Sequence, residues 1–162
     1  MNSELPKRKH PRLKEYDYSQ NGAYFITICT QNRRCILSRV VGRGLAPAVI
    51  ELTDYGKVAE QELLALEKRY PFVKVDAYAI MPNHIHILFA IENGTAGASP
   101  RPTISDVVSA YKSLTTRRCQ SGKLFQASFY DHVIRGQSDY DDIYRYIENN
   151  PAQWEQDELY AP

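Results

Sequence analysis

The sequence predicts an α+β fold, an antiparallel sheet with helices packed on it. Three observations carry that expectation. Alternating, β-branched and aromatic segments come in two pairs, over 22–41 and 72–91. Segments with helical spacing of apolar residues follow each pair, giving the order strand pair, helix, strand pair, helix, helix. The whole chain is 162 residues, the size of one domain with a real core.

Residues 1–15 hold Lys7, Arg8, Lys9, Arg12 and Lys14 with Pro6 and Pro11, which predicts a basic, loosely held arm. The domain then runs over 16–162. "GAYFITICTQN" (22–32) alternates and reads as a strand. "CILSRVV" (35–41) follows a short turn with Arg33 and Arg34, so the two read as a hairpin. "GRGLAP" (42–47) is a loop, and "AVIEL" adds a short strand. Thr53 or Asp54 caps a helix to about Arg69, its apolar side Tyr55, Val58, Ala59, Leu63 and Leu66.

"FVKVDAYAI" (72–80) alternates again, and Met81-Pro82-Asn83 turns it into "HIHILFAI" (84–91). "ENGTAGASPRP" is a loop of small residues. Thr103 and Asp106 stand in capping-box spacing at the start of a helix whose apolar side is Ile104, Val107, Val108, Tyr111 and Leu114. Gly122 ends it. "FQASFYDHVIR" (125–135) is mixed, and a last helix runs from about Asp139 to Asn150, stopped by Pro151.

No apolar run reaches the roughly 20 residues of a membrane span, and the N-terminus has no signal-peptide core. A cytoplasmic location is expected. Cys29, Cys35 and Cys119 are odd in number and lack CxxC spacing, which predicts reduced thiols. The net charge of +1 hides an asymmetry: the N-terminal stretch is basic, and Asp139, Asp141, Asp142, Glu148, Glu155, Asp157 and Glu158 make the C-terminal stretch acidic. A nucleic-acid surface and a merely solvated basic tail both fit that asymmetry.

The chemistry concentrates in "PNHIHIL". Successive strand residues alternate, so His84 and His86 share one face while Ile85 and Ile87 take the other. A lone strand histidine is usually a satisfied core residue; a same-face pair raises a metal site to about even odds with that reading. Without a thiolate or third histidine, such a site would be open, completed by oxygen and substrate. On the last helix Tyr140, Ile143, Tyr144 and Ile147 form an apolar stripe, with Tyr146 about 110° from its centre. Tyr140 and Tyr144 are therefore expected in the core. Asn150 stands four residues beyond Tyr146 on the same face. The pair fits a nucleophile beside an oxygen ligand; taken alone, Asn150 reads about two to one as a helix-ending residue before proline, and Tyr146 also fits a half-exposed surface ring.

"RLKEYDYSQNGAYFITICTQNRR", "PNHIHIL", "YKSLTTRR", "FQASFYDHVIR" and "YIENNP", in this order, resemble the REP-associated tyrosine transposases. These belong to the HUH single-strand transposases and nucleases with one catalytic tyrosine. The resemblance spans about Pro11 to Trp154. It departs at Phe125, where relatives commonly carry Trp. It implies a ferredoxin-like antiparallel sheet with the histidines on a central strand and the tyrosine on the C-terminal helix. By position, His84, His86 and Asn150 match metal ligands for Mg²⁺ or Mn²⁺, and Tyr146 matches the nucleophile. Lys112, Arg117 and Arg118 fall in the helix resembling the DNA-contacting one, and His132 and Arg135 fall in the "DHVIR" segment. Arg12, Lys14, Arg33 and Arg34 are further basic candidates for phosphates. Phe125, Phe129 and Tyr130 are base-stacking candidates, though core positions suit them better.

The activity so implied is cleavage and rejoining of single-stranded DNA at hairpins, the repetitive extragenic palindromes, through a 5′-phosphotyrosine. The partner is hairpin DNA near the nucleoid, with no membrane and no nucleotide cofactor, and the protein a monomer or homodimer. The alternative is a domesticated hairpin DNA- or RNA-binding protein that no longer cuts. Loss of a histidine or of the tyrosine would mark it, and neither is lost here.

Overall fold

The computed structural model describes residues 22–42, 48–92 and 102–162. The expected arm, Arg12, Lys14 and two of the loops lie wholly or largely outside the described residues. In chain order the elements are β1 (Gly22–Cys29), β2 (Ser38–Val41), β3 (Val49–Leu52), α1 (Asp54–Leu64), α2 (Leu66–Arg69), β4 (Val73–Ile80), β5 (His84–Ile91), α3 (Ile104–Cys119), β6 (Tyr130–Val133) and α4 (Gln137–Asn149). A 3₁₀ turn, Pro151–Gln156, follows α4.

The main sheet has the order β4-β5-β1-β6, and every pairing in it is antiparallel. With helices joining β1 to β4 and β5 to β6, this is the βαββαβ order of a ferredoxin-like sheet. β1 and β5 are its inner strands. Their residues alternate between two packed faces. Tyr24, Ile26, Ile28, Ile85, Ile87 and Phe89 pack with Ala59 and Leu63 of α1 and Val107, Val108 and Tyr111 of α3. Phe25, Leu88, Ala79 and Met81 pack on the other face with Ile147 of α4 and Trp154. A strand buried on both faces reads as a near-continuous apolar run, as "GAYFITIC" and "HIHILFAI" do.

Three expectations change. The segment 35–41 does not form a hairpin with β1; β2 pairs instead with β3 as a separate ribbon. Both edges of β1 are taken, by β5 and β6, so no place is left for it. The helix expected to Arg69 is broken at Ala65 into α1 and α2. Gln120, with φ of 51°, rather than Gly122 supplies the left-handed cap of α3. The capping residues at the other ends are as read: Thr53 caps α1, and Thr103 with Asp106 forms a full capping box.

Candidate functional site

His84 opens β5 and His86 lies two residues on, so the pleat aims both at the α4 face. Across the register Cys29 stands opposite His84, Thr27 opposite His86 and Phe25 opposite Leu88. His84 and His86 are 0% and 1% exposed, with ring centroids 4.5 Å apart. Phe25 stacks on His86 at 5.1 Å, and Trp154 lies 5.9 Å from His84. The rings sit in an apolar wall.

Each histidine is held by Nδ1. His84 Nδ1 donates to Asn83 Oδ1 at 2.8 Å, and His86 Nδ1 lies 2.8 Å from Thr27 Oγ1. A side-chain amide oxygen only accepts, so this bond puts the ring proton of His84 on Nδ1 and its lone pair on Nε2. Both Nε2 atoms are buried and have no hydrogen-bond partner. Burial and the neighbouring His84 hold His86 well below the usual imidazole range, so it is neutral. Two buried imidazole nitrogens without partners fit a divalent cation.

Asp157, beyond the 3₁₀ turn, completes the cluster. Its carboxylate and the two histidines offer ligand atoms all within 4.8 Å of one another. Burial pushes its carboxyl pKa up, but His84, the Leu159 N–H and the Asn150 amide outweigh this and keep it below the usual carboxylate range. The sequence reading missed this residue. A single Asp in an acidic tail carries no spacing signal, and only the turn at Pro151 brings it back to β5.

Tyr146 corrects the facing argument. Its ring is half-buried against the second core cluster, 5.3 Å from His86 and 6.0 Å from Phe25. Burial, Asp157 and Glu158 push its phenol up to about 12, with the Asn150 amide beside it pulling the other way. Tyr140 and Tyr144, expected in the core, are only half-buried, and the Tyr140 hydroxyl donates to Asp76 Oδ2 at 2.7 Å. The reason is the width of the face. α4 covers the sheet with an arc broader than the four-residue stripe, and Tyr146 lies at the edge nearest the histidines. Asn150 is 2% exposed and donates from Nδ2 to Asp157 Oδ2 at 3.1 Å.

The basic candidates separate. Arg118 is held by Glu62 at 2.7 Å and by Gln61 at 2.9 Å. Lys112 donates to the Ala127 carbonyl at 3.0 Å, and Arg34 Nη2 to the Lys123 carbonyl at 3.4 Å. Lys112, Arg117 and Lys123, with Ser113, Thr116 and Gln126, line an open groove of about 380 Å³. His132 pairs with Asp139 at 2.9 Å, and Arg135 donates its backbone N–H to the same carboxylate. Arg33 is exposed on the 3₁₀ turn after β1. Phe125 and Phe129 are buried in the main core, and Tyr130 packs against the second cluster.

The fold and the site together define an antiparallel, ferredoxin-like α/β domain with a His-x-His cluster on an inner strand. Comparison with known proteins narrows the class. An uncharacterized protein of Haemophilus influenzae is 32% identical over 179 aligned residues, 99% of this chain and 97% of its own. The REP-associated tyrosine transposase of Escherichia coli is 24% identical over 135 residues, 83% of this chain and 69% of its own. The solved structure of a REP-associated tyrosine transposase bound to a REP hairpin superposes with a TM-score of 0.66 at 22% identity, over 89% of this chain and 74% of that one. No family model matches the sequence. The chain is thus similar in sequence and in fold to the REP-associated tyrosine transposases.

Proposed function

We propose that the protein is a divalent-metal-dependent strand transferase that cleaves and rejoins single-stranded DNA beside hairpins, with Tyr146 as nucleophile. One observation carries this reading: His84 and His86, each with a partnerless Nε2, lie 4.5 Å apart ring to ring, and the Tyr146 ring stands 5.3 Å from that of His86. The transposase relatives support the reaction class, and the hairpin in the solved relative supports the substrate.

A phenol is a weak nucleophile at neutral pH. A cation bound by the histidines and an oxygen donor from Asn150 or Asp157 would draw charge from the scissile phosphate and favour the ionised phenol. Tyr146 Oη loses its proton and bonds to phosphorus; the P–O3′ bond breaks, and the departing oxygen takes up a proton as a 3′-hydroxyl. One phosphodiester is exchanged for another, so a 3′-hydroxyl can reverse the step without ATP. The aromatic wall of Phe25 and Trp154 keeps the histidine side of the site dry. Imidazole with oxygen donors suits Mn²⁺ well and tolerates Mg²⁺. Lys112, Arg117 and Lys123 would hold backbone phosphates in their groove, with Arg33, Arg34, His132, Arg135 and the arm residues Arg12 and Lys14 as further contacts. Such a protein works among bacterial DNA in the cytoplasm.

The test is a labelled hairpin with single-stranded flanks, incubated with Mn²⁺ or Mg²⁺. A covalent protein–DNA adduct is expected with it and none with fully duplex DNA of the same sequence. His86→Ala should abolish the adduct and leave hairpin binding within about threefold, since binding rests on phosphates elsewhere. Equal cutting of both forms, or an active His86→Ala protein, would sink the reading.

A further inference from the structure

We propose that Arg33, on the left-handed turn between the basic groove and the histidine pair, holds a backbone phosphate of the single strand as it runs from the groove to Tyr146. This rests on the strand-transfer reading above and adds the route that the strand takes.

The turn after β1 is bonded to both places. On one side Thr30 donates to the Asn83 carbonyl, from its N–H at 3.0 Å and from its hydroxyl at 3.1 Å. Asn83 is the residue that holds His84 Nδ1. On the other side the Gln31 N–H donates to the Leu124 carbonyl at 2.8 Å, and the Gln126 N–H to the Cys29 carbonyl at 2.9 Å. Leu124 and Gln126 line the groove. One turn therefore joins the surface suited to a hairpin to the cluster suited to cleavage.

Its backbone is strained. Asn32 and Arg33 have φ of 58° and 52°. Asparagine tolerates this left-handed region, but arginine does not favour it, and strain of this kind gathers at functional sites. The two arginines of the turn differ in use. Arg34 is spent inside the fold, donating to the Gln31 carbonyl at 3.3 Å and the Lys123 carbonyl at 3.4 Å. The Arg33 side chain is exposed and has no hydrogen bond or ion pair among the described residues. Cys29 stands opposite His84; burial holds its thiol above the ordinary range, and the Arg33 charge pulls it back. The guanidinium is thus felt at the histidine end of the sheet, where its planar fork suits a phosphate. Charge favours the same route. α4 and the segment after it expose Glu148 and Glu158, which repel a DNA strand from the opposite flank.

Fluorescence anisotropy of the labelled hairpin, without metal so that nothing is cut, reads the route directly. Wild type should bind the hairpin with single-stranded flanks at least about threefold tighter than the bare hairpin. Arg33→Ala should lose that gain, bind the bare hairpin within about twofold of wild type, and flatten the salt dependence of flanked binding by about one unit of slope. Arg33→Lys keeps the charge and should keep most of that slope. In Mn²⁺ the Arg33→Ala adduct should form at least about tenfold more slowly. Equal binding of flanked and bare hairpins by wild type, a full gain in Arg33→Ala, or an unchanged adduct rate overturns the assignment. So does an equal loss of the gain in Arg39→Ala, an exposed arginine on β2, since general charge would then suffice. Should Arg33→Ala fail to fold by circular dichroism, Arg33→Gly, which meets the left-handed φ without strain, decides by the same readings. Loss of the gain in Arg33→Ala, with no adduct from any form including wild type, would keep the route and sink the strand-transfer reading.

Discussion

His84 and His86 look alike in sequence but are fastened differently, one by an amide oxygen on its own turn and one by a hydroxyl on the neighbouring strand. Both arrangements leave Nε2 without a hydrogen-bond partner. Tyr146 lies beside His86, and Tyr140 and Tyr144 stand earlier on α4. Tyr146→Phe removes one oxygen and keeps the ring against Phe25, so the protein should fold and form no DNA adduct. Tyr140→Phe gives up the bond to Asp76 yet should retain the adduct, as should Tyr144→Phe. Peptide mapping of the adduct decides between them; a nucleotide on Tyr140 or Tyr144 would overturn the assignment of the nucleophile.

At the scale of elements, α1 meets the segment leading into β2 with almost no clearance. A Cβ on Gly56 would stand 2.0 Å from the Leu37 carbonyl oxygen, a backbone atom that cannot swing aside. Gly56→Ala, normally favourable in a helix, should therefore destabilise by about 1–3 kcal/mol in urea unfolding. α1 and α3 are joined by Glu62, which takes Arg118 from one side and Arg69 from the other. Arg118→Ala should cost about 1–3 kcal/mol of stability, a charged hydrogen bond being lost at a mostly buried carboxylate. Arg117→Ala, exposed and in the groove, should leave stability unchanged and weaken hairpin binding with a shallower salt dependence. Equal effects of the two on hairpin binding would mean that Arg118 leaves Glu62 to reach DNA.

The whole molecule packs tyrosines against carboxylates around the sheet. Burial and Glu60 push Tyr78 up to about 12; burial and Asp76 do the same for Tyr140, and burial with Asp157 and Glu158 for Tyr146. Tyr111 is raised too, by full burial. Each phenol holds its proton more tightly folded than unfolded, where the ordinary value is 10.0. The stability this contributes is fully present below about pH 10 and is lost as pH rises through about 12. The melting temperature should hold level below pH 10 and then fall, less steeply in Tyr78→Phe. Calorimetry across that range is the check, and a flat profile to pH 12 would contradict the packing.

Much of the fold was written locally. The capping box at Thr103, the Thr53 cap, the two inner strands and the shared face of His84 and His86 all follow from residue type and short spacing, because helix turns and strand pleats repeat over a few residues. The resemblance to the transposases was legible for the same reason, in five short segments kept in order. Other features needed the assembled chain. Which strand β2 joins depended on β5 and β6 already filling the edges of β1. How far Tyr146 reaches inward depended on the width of the sheet that α4 covers. Asp157 depended on a turn that returns the C-terminal segment to the mouth of β5, a contact between positions 84 and 157. Local periodicity determines which way a side chain leaves its own backbone; only tertiary packing decides what it meets there.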